Sequence, residues 1–337
     1  MKFLVVGLGS MGKRRIRNLT HLNVGEIAGY DPRASRREEA SQLYGIATFD
    51  NLEVAFEQFQ PDALVTSTPP DKHMPVAKMA LERDKHVFCE AGTTTDGMAE
   101  IIALANSKHL VAAPSCTMRF QPSIKKIKEL LDAGTIGKVL AYTHHCGQYL
   151  PDWHPFEDYR TFYVSRRETG ACREIVPFEL TWLNWLLGSH PTLVTGLLGK
   201  QTDLECDIDD VYHLLLKYQG GALCHLLVDV VARAPVRSLR ILGSTGTLEW
   251  TAGTKILRHY DAKTGSWVDY AEPAAVVEVG YSEMSAEGMY IEEMDAYVSA
   301  CRGERPYPNS FEDDLLVLET LYAVEKSASS KTQQSLD

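Results

Sequence analysis

The chain has 337 residues, with 34 Lys and Arg against 45 Asp and Glu, a formal charge of −11. That acidic balance argues against nucleic acid, whose phosphates are gripped by a basic face, and a length above the roughly 250–300 residues of a single core predicts two domains. Seven cysteines scattered without a C-x-x-C pair read as reduced thiols, and no apolar run nears the roughly 20 residues of a membrane span, so a soluble, cytoplasmic protein without a membrane partner is expected.

Taken from the start, residues 3–6 form a short apolar run of the buried parallel-strand type that leads directly into Gly7-Leu8-Gly9-Ser10-Met11-Gly12. A helical pattern carrying Ile16, Leu19 and Leu22 follows, then a strand over 27–30 that ends at Asp31. Strand, glycine turn, helix, strand and acid in this order describe a dinucleotide fold. Gly7 permits the tight turn, Gly9 lets backbone approach a pyrophosphate, and Gly12 lets helix and strand pack closely. Ser10 and Met11 open the helix, whose free N–H groups suit phosphate. Asp31 would accept the adenosine ribose hydroxyls. Its carboxylate favours NAD over NADP by repelling a 2′-phosphate. Arg33, Arg36 and Arg37 read as a solvated helix face, the alternative being a phosphate grip that reverses the preference.

The alternation continues with strands over 47–49 and 64–67 and a helix over 52–60 between them. Thr68-Pro69-Pro70 closes the second strand beside the nucleotide, and His73 opens a helix to residue 83. A strand over 86–89 ends at Glu90, a helix reaches 106, and a strand over 110–113 ends in Pro114. This is a doubly wound parallel sheet, with a domain over 1–120. From there the texture changes. A helix over 124–131 precedes period-two segments at 139–145, 192–198, 211–217, 223–231, 238–242, 247–250 and 255–259, separated by glycine-rich turns. The expected fold class is therefore α/β: a doubly wound Rossmann sheet, then an α+β domain over 121–330 with a largely antiparallel open sheet. Helices over 284–302 and 311–329 finish the chain, and 331–337 read as a frayed tail.

The layout resembles the glucose–fructose oxidoreductase / inositol dehydrogenase / MocA-like family, NAD(P)-dependent sugar and polyol oxidoreductases. The strings that carry the resemblance are the residue 5–12 turn, Ser67-Thr68-Pro69-Pro70 with His73, Lys85-His86-Val87-Phe88-Cys89-Glu90, Met118-Arg119-Phe120-Gln121-Pro122, Gly134-Thr135-Ile136-Gly137 and Gly243-Ser244-Thr245-Gly246-Thr247. The resemblance implies an NAD(P) cofactor, a small sugar-type substrate, and a homodimer or homotetramer paired through the C-terminal sheet. Departures matter as much. Where the family carries a catalytic lysine after the strand-end glutamate this chain has Ala91, and where it carries an Asp and, four residues on, a His, this chain has Glu174 and Phe178. Neither Ala91 nor Phe178 can carry a proton, although hydride transfer from a carbinol needs a base worth about 10²–10⁴ in rate.

What remains is the segment 151–173, rich in groups that handle sugars: Trp153, His154, Asp158, Tyr159, Arg160, Tyr163 and Arg173. Aromatic faces suit sugar C–H edges and Arg suits carboxylate or phosphate; the plainer reading is a polar surface loop. Glu174, Tyr163 and His154 are the expected proton carriers, with Arg119 shaping the mouth of the site. Glu179 is a further substrate candidate, or a carboxylate favoured near a helix start, and Pro177 suits a first helical turn. No metal is expected, since adjacent His144 and His145 on a strand point to opposite faces. The expected function is an NAD(H) oxidoreductase of a sugar or sugar-derived, possibly nucleotide-linked, substrate with a rearranged proton relay. The alternatives are a redox-neutral epimerase or eliminase and a non-catalytic regulatory or scaffold protein. Leu214, Leu216, Leu226, Val228 and Val230 supply apolar matter to strand faces that either a core or another subunit could cover.

Overall fold

The computed structural model describes residues 1–153, 158–273 and 287–336. The chain divides into two compact units, Met1–Thr117 with Glu287–Leu315, and Met118–Ala286 with Leu316–Asp337. The first is thus built from both ends of the chain, unlike the contiguous division expected from sequence.

In the first unit, strands β1 (Lys2–Val6), β2 (Glu26–Tyr30), β3 (Ala47–Phe49), β4 (Ala63–Thr66), β5 (His86–Cys89) and β6 (Ala112–Pro114) form a parallel sheet in the order β3-β2-β1-β4-β5-β6. This is the doubly wound dinucleotide-binding order, whose ligand crevice lies at the carboxyl ends of the strands where the order reverses. Helices α1 (Ser10–His21), α2 (Ala34–Tyr44), α3 (Leu52–Phe59), α4 (His73–Glu82) and α5 (Met98–Lys108) make the crossovers. Local chemistry sets their ends. The Asn51 side chain caps α3 by accepting from the Val54 N–H, and Gly45 ends α2 in the left-handed conformation.

In the second unit, α6 (Pro122–Asp132) starts with proline where its missing N–H costs nothing, and α7 spans Cys172–Leu187. Strands β7 (Val139–Gly147), β8 (Pro191–Gly199), β9 (Val211–Tyr218), β10 (Leu223–Asp229), β11 (Val236–Gly243), β12 (Gly246–Thr251), β13 (Ile256–Asp261), β14 (Ser266–Ala271) and β15 (Gln334–Ser335) form one sheet, β14-β13-β12-β11-β7-β10-β9-β8-β15. Every pairing is antiparallel except β7 with β10. The sheet is largely antiparallel, as expected, with one parallel pairing at its centre between strands far apart in sequence. The tail expected to fray instead places Gln334 opposite Val194.

Strand alternation decides the two faces. Tyr142, His144, Leu214, Leu216, Leu226, Val228, Leu239, Ile241 and Trp250 are buried on the covered face. Leu214, Leu216, Leu226 and Val228, with Val230 just beyond β10, thus belong to the core rather than to a free surface. The opposite face exposes Leu197, Leu215 and Leu223 at 71%, 58% and 63%.

Two helices close the chain, α8 (Glu287–Cys301) and α9 (Phe311–Ser330); the sequence reading begins α8 at 284, and 284–286 lie outside the described residues. Met294, Tyr297 and Val298 of α8 complete the core formed by Phe3, Val5, Ile16 and Phe88, and the Tyr297 hydroxyl donates to the Leu64 carbonyl.

Candidate functional site

In the first unit, Gly7 has φ +97° and sits so close to the next strand end that a Cβ would lie 2.6 Å from the Ser67 carbonyl oxygen. A Cβ on Gly12 would lie 1.8 Å from the Gly7 oxygen, so only glycine allows this approach of helix and turn. Gly9 caps α1 without a side chain, and Ser10 and Met11 open it with no acidic residue in the first turn, leaving a helix N-terminus suited to phosphate. At the end of β4, the Ser67 and Thr68 hydroxyls are buried with no partner among the described residues. Pro69 and Pro70 lead into a short turn, and His73 holds the Thr68 carbonyl at 2.8 Å. Buried hydroxyls without partners are costly. Together with the glycine turn they fit a dinucleotide with polar edges.

Asp31 is buried, and its carboxylate accepts from the Leu8 and Arg33 backbone N–H groups, both at 2.9 Å. The solvated-face reading of the following arginines holds only for the Arg33 side chain, which is exposed. Arg36 turns back to within 3.6 Å of Asp31 and over Gly9, while Arg37 donates to the Asp31 and Pro32 carbonyls. His73 is a positioning group, since its ring is fully enclosed. Burial depresses its pKa to about 4 against the raising effect of the Thr68 hydrogen bond.

Sequence reading missed the charges beneath this cradle. Arg15 is fully buried, bonds Glu90 through two nitrogens at 2.6 and 3.0 Å, and lies 2.8 Å from Glu293 of α8. Burial works against its charge, and the two carboxylates overcome that and raise its pKa. Glu293 also accepts from Ser115, from the Cys116 N–H and from Thr117. Neighbouring Arg14 is buried against Glu287 and the Tyr290 ring. Glu90, expected beside the cofactor, is thus held by Arg15. The only sequence signal was an unusual density of arginine on a helix that must pack against a sheet.

In the second unit, one expected pair is brought together: the Tyr163 hydroxyl donates to Glu174 Oε1 at 3.0 Å, both side chains half-buried. Glu174 opens α7, and Phe178 lies one turn on along the same helix face. His154 lies outside the described residues. Asp158 and Arg160 pair with each other on the surface, Arg160 also with Glu205, and the Tyr159 hydroxyl accepts from the Glu205 N–H. Trp153 ends a short turn by donating its backbone N–H to the Leu150 carbonyl.

The remaining expected residues of this unit are placed as follows. Arg173 ties α7 to α9 through Glu325 at 2.7 Å and lies over the Tyr322 ring. Arg119 is buried and donates to the Thr181 carbonyl, which ties it to α7. Glu179 is neither near the helix start nor accessible; it is fully buried in mid-helix, and Pro177 likewise stands inside α7 rather than in its first turn.

Glu179 is the hub of a network that sequence did not reveal. It lies 2.7 Å from His144 Nε2 and accepts from Trp182 Nε1 at 3.0 Å and from Arg237 Nη2 at 2.8 Å. Burial alone would raise its pKa, yet the Arg237 charge and the His144 hydrogen bond outweigh that and bring it down to about 2. The other nitrogen of His144 faces the Ser238 carbonyl at 2.8 Å. Arg237 lies 5.7 Å over the Phe178 ring, with Nη2 3.5 Å from Cys146 Sγ. As expected, His145 points the other way, to Asp229 at 2.6 Å.

Comparison with known proteins follows the same division. Residues 1–115 match the oxidoreductase family with an NAD-binding Rossmann fold, and residues 124–249 match the GFO/IDH/MocA C-terminal domain. A dTDP-3,4-didehydro-2,6-dideoxy-alpha-D-glucose 3-reductase of Streptomyces violaceoruber is 27% identical over 221 residues, 64% of this chain and 63% of the reductase. The chain spans between about half and two thirds of the length of the first curated relatives it matches. Among solved structures, an oxidoreductase from Agrobacterium radiobacter in complex with NAD+, L-tartaric acid and magnesium superposes with TM-score 0.89 at 15% identity, covering 99% of this chain and 98% of that one. The WlbA dehydrogenase from Bordetella pertussis in complex with NADH and UDP-GlcNAcA gives 0.83 at 19% identity, covering 100% and 98%. At these identities the structures establish the shared fold. Among the described residues no helix is long and apolar enough to cross a membrane.

Proposed function

The chain belongs to the GFO/IDH/MocA oxidoreductase family, and from that premise we propose that it uses NAD(H) to oxidise or reduce a carbinol carbon of a sugar or sugar-derived substrate, with Tyr163 and Glu174 carrying the proton. The reading rests on one observation above others, the 3.0 Å hydrogen bond from the Tyr163 hydroxyl to Glu174. Glu174 on α7, with Tyr163 bonded to it from the preceding turn, brings proton-carrying chemistry to the helix where Phe178 has none.

The nicotinamide, when bound, takes or supplies the hydride at the substrate carbon. Tyr163 then receives the proton of the breaking substrate O–H bond as its own proton passes to Glu174, and in reduction the same path runs backward. Gly7, Gly9, Gly12, Ser10 and Met11 would hold the pyrophosphate against the α1 N-terminus. Asp31 would take the ribose hydroxyls, and Ser67 and Thr68 would meet polar cofactor edges. Asp31 supports NAD over NADP, and Arg36 beside it tempers that preference. The substrate of the dTDP-sugar reductase that this chain resembles supports a nucleotide-linked sugar. The apolar open face of the second sheet supports pairing of copies through that face.

The test begins with titration of the protein by NADH and NADPH, followed by energy transfer from tryptophan. Saturable binding, tighter for NADH, is expected, and binding of neither by folded, nucleotide-free protein overturns the reading. In a screen of sugars and nucleotide sugars, Glu174→Gln and Tyr163→Phe should lower kcat by about 10²–10⁴ with NADH affinity unchanged. Unchanged kcat in both variants removes these residues from the relay.

A further inference from the structure

The parallel sheet of the first unit ends at β6, whose outer edge carries no further strand among the described residues. Residues 111, 113 and 115 turn their backbone toward β5: the Val87 N–H donates to the Val111 carbonyl, the Ser115 N–H donates to the Cys89 carbonyl, and Ala113 stands in register with Phe88 between them. By strand alternation Ala112 turns its N–H and C=O outward. They open onto a cavity of about 620 Å³ that Ala112 lines, wholly within the first unit. Ile102 and Ala105 of α5, Val111, and Phe311 at the start of α9 give it apolar walls. It lies at the amino end of β6, whereas the glycine turn and Asp31 follow the carboxyl ends of β1 and β2. A bare strand edge invites a peptide, but this edge stops after one residue. Pro114 has no N–H, and its carbonyl already accepts from Asn309 Nδ2 at 3.3 Å. An occupant therefore meets one donor and one acceptor side by side, between apolar walls.

We propose that this cavity is a second ligand site, which binds an uncharged, planar, amino-substituted nitrogen heterocycle of the nucleobase type through the Ala112 N–H and C=O. A ring edge with an N–H beside an acceptor nitrogen meets both groups as one residue of a facing strand would, and its flat faces suit the apolar walls. Charge narrows the class to a free base or nucleoside. Glu304 and Glu312 line the cavity and are exposed, while Arg305, which also lines it, is paired with Asp295. Such a lining repels a phosphate.

The experiment uses NADH-loaded protein, so that the dinucleotide cradle is filled, and follows binding by calorimetry. The probes are cytidine, whose amino N–H lies beside a ring acceptor, a cytidine dimethylated on that amino nitrogen, and cytidine monophosphate. Cytidine should bind saturably, the dimethyl compound about tenfold or more weakly for want of the donor, and the phosphate no more tightly than cytidine. Ala112→Pro removes the outward N–H without taking a ladder bond and should weaken cytidine about tenfold. Ala105→Phe should abolish its binding by filling the cavity. Thermal melts and NADH affinity check the fold of each variant, and the two act by different routes, so either one that folds decides. No binding of cytidine, equal binding of the dimethyl compound, tighter binding of the phosphate, or cytidine affinity unchanged in a folded variant overturns the assignment. Failure of the wild-type protein to bind NADH would overturn the oxidoreductase reading instead, and the same probes on the unloaded protein would still test this site.

Discussion

Ala171 holds φ +50° and ψ −124° at the start of α7, three residues before Glu174, and is fully buried. A side chain bearing a Cβ is strained there by about 1–3 kcal/mol. Gly170 beside it has no such freedom to change, since a Cβ would fall 2.1 Å from the Val164 carbonyl oxygen. Ala171→Gly should therefore raise stability by about 1 kcal/mol after the added chain entropy of glycine is subtracted, read as a shifted urea midpoint with unchanged slope. A lower midpoint would show that the strain is absent. At this scale the nucleotide cradle was legible because its signal is local, with Gly7, Gly9, Gly12 and Asp31 lying within 25 residues of one another. Arg14 and Arg15 were not, because apolar periodicity assigns arginine to water, and the acids that draw them inward stand far along the chain, Glu90 75 residues from Arg15 and Glu287 and Glu293 about 270 residues away.

Helix α7 shows the same limit for a whole element. Its existence and its family-like position could be read from Trp185-Leu186-Leu187-Gly188, but its meaning depends on β7 and β11. Their register sets Arg237 opposite Cys146, and the two strands are about 90 residues apart. No local pattern announces that His144, Glu179 and Arg237 meet. The network has a consequence for acid stability. Glu179 has a folded pKa of about 2 against an ordinary 4.5, so its contribution is complete above pH 4.5 and is lost as pH falls toward 2. His73 of α4 is lowered from 6.5 to about 4, so the unfolded chain binds its proton first and stability falls between those two values as acid is added. Each shift corresponds to about 3 kcal/mol. Thermal melts across pH should decline in two stages, the upper flattened by His73→Asn and the lower by Glu179→Gln. A profile unchanged by both variants would contradict the roles given to these groups.

For the molecule as a whole, the fold class and the strand count of the second sheet up to β13 followed from alternation and turn signals. The face that water meets did not, because a one-residue shift exchanges the two sides. The structure settles it: Leu215 is open while Leu214 and Leu216 are closed. If copies pair through this open face, Leu215→Glu and Leu197→Glu together should convert a dimer or tetramer to monomer in light scattering without loss of NADH binding. A monomeric wild type at micromolar concentration would overturn the pairing. The discontinuous first unit bears on how the protein is made. A ribosome adding about 5–20 residues per second releases Arg14 and Arg15 long before it reaches Glu287 and Glu293, a delay of roughly ten seconds to a minute. During that interval the nascent sheet has its glycine turn and Glu90 for Arg15 but neither Glu287 nor Glu293, so α8 acts as a late-arriving clasp. The nucleotide-binding unit, first to be translated, is thereby made to wait until nearly the end of synthesis before it can close.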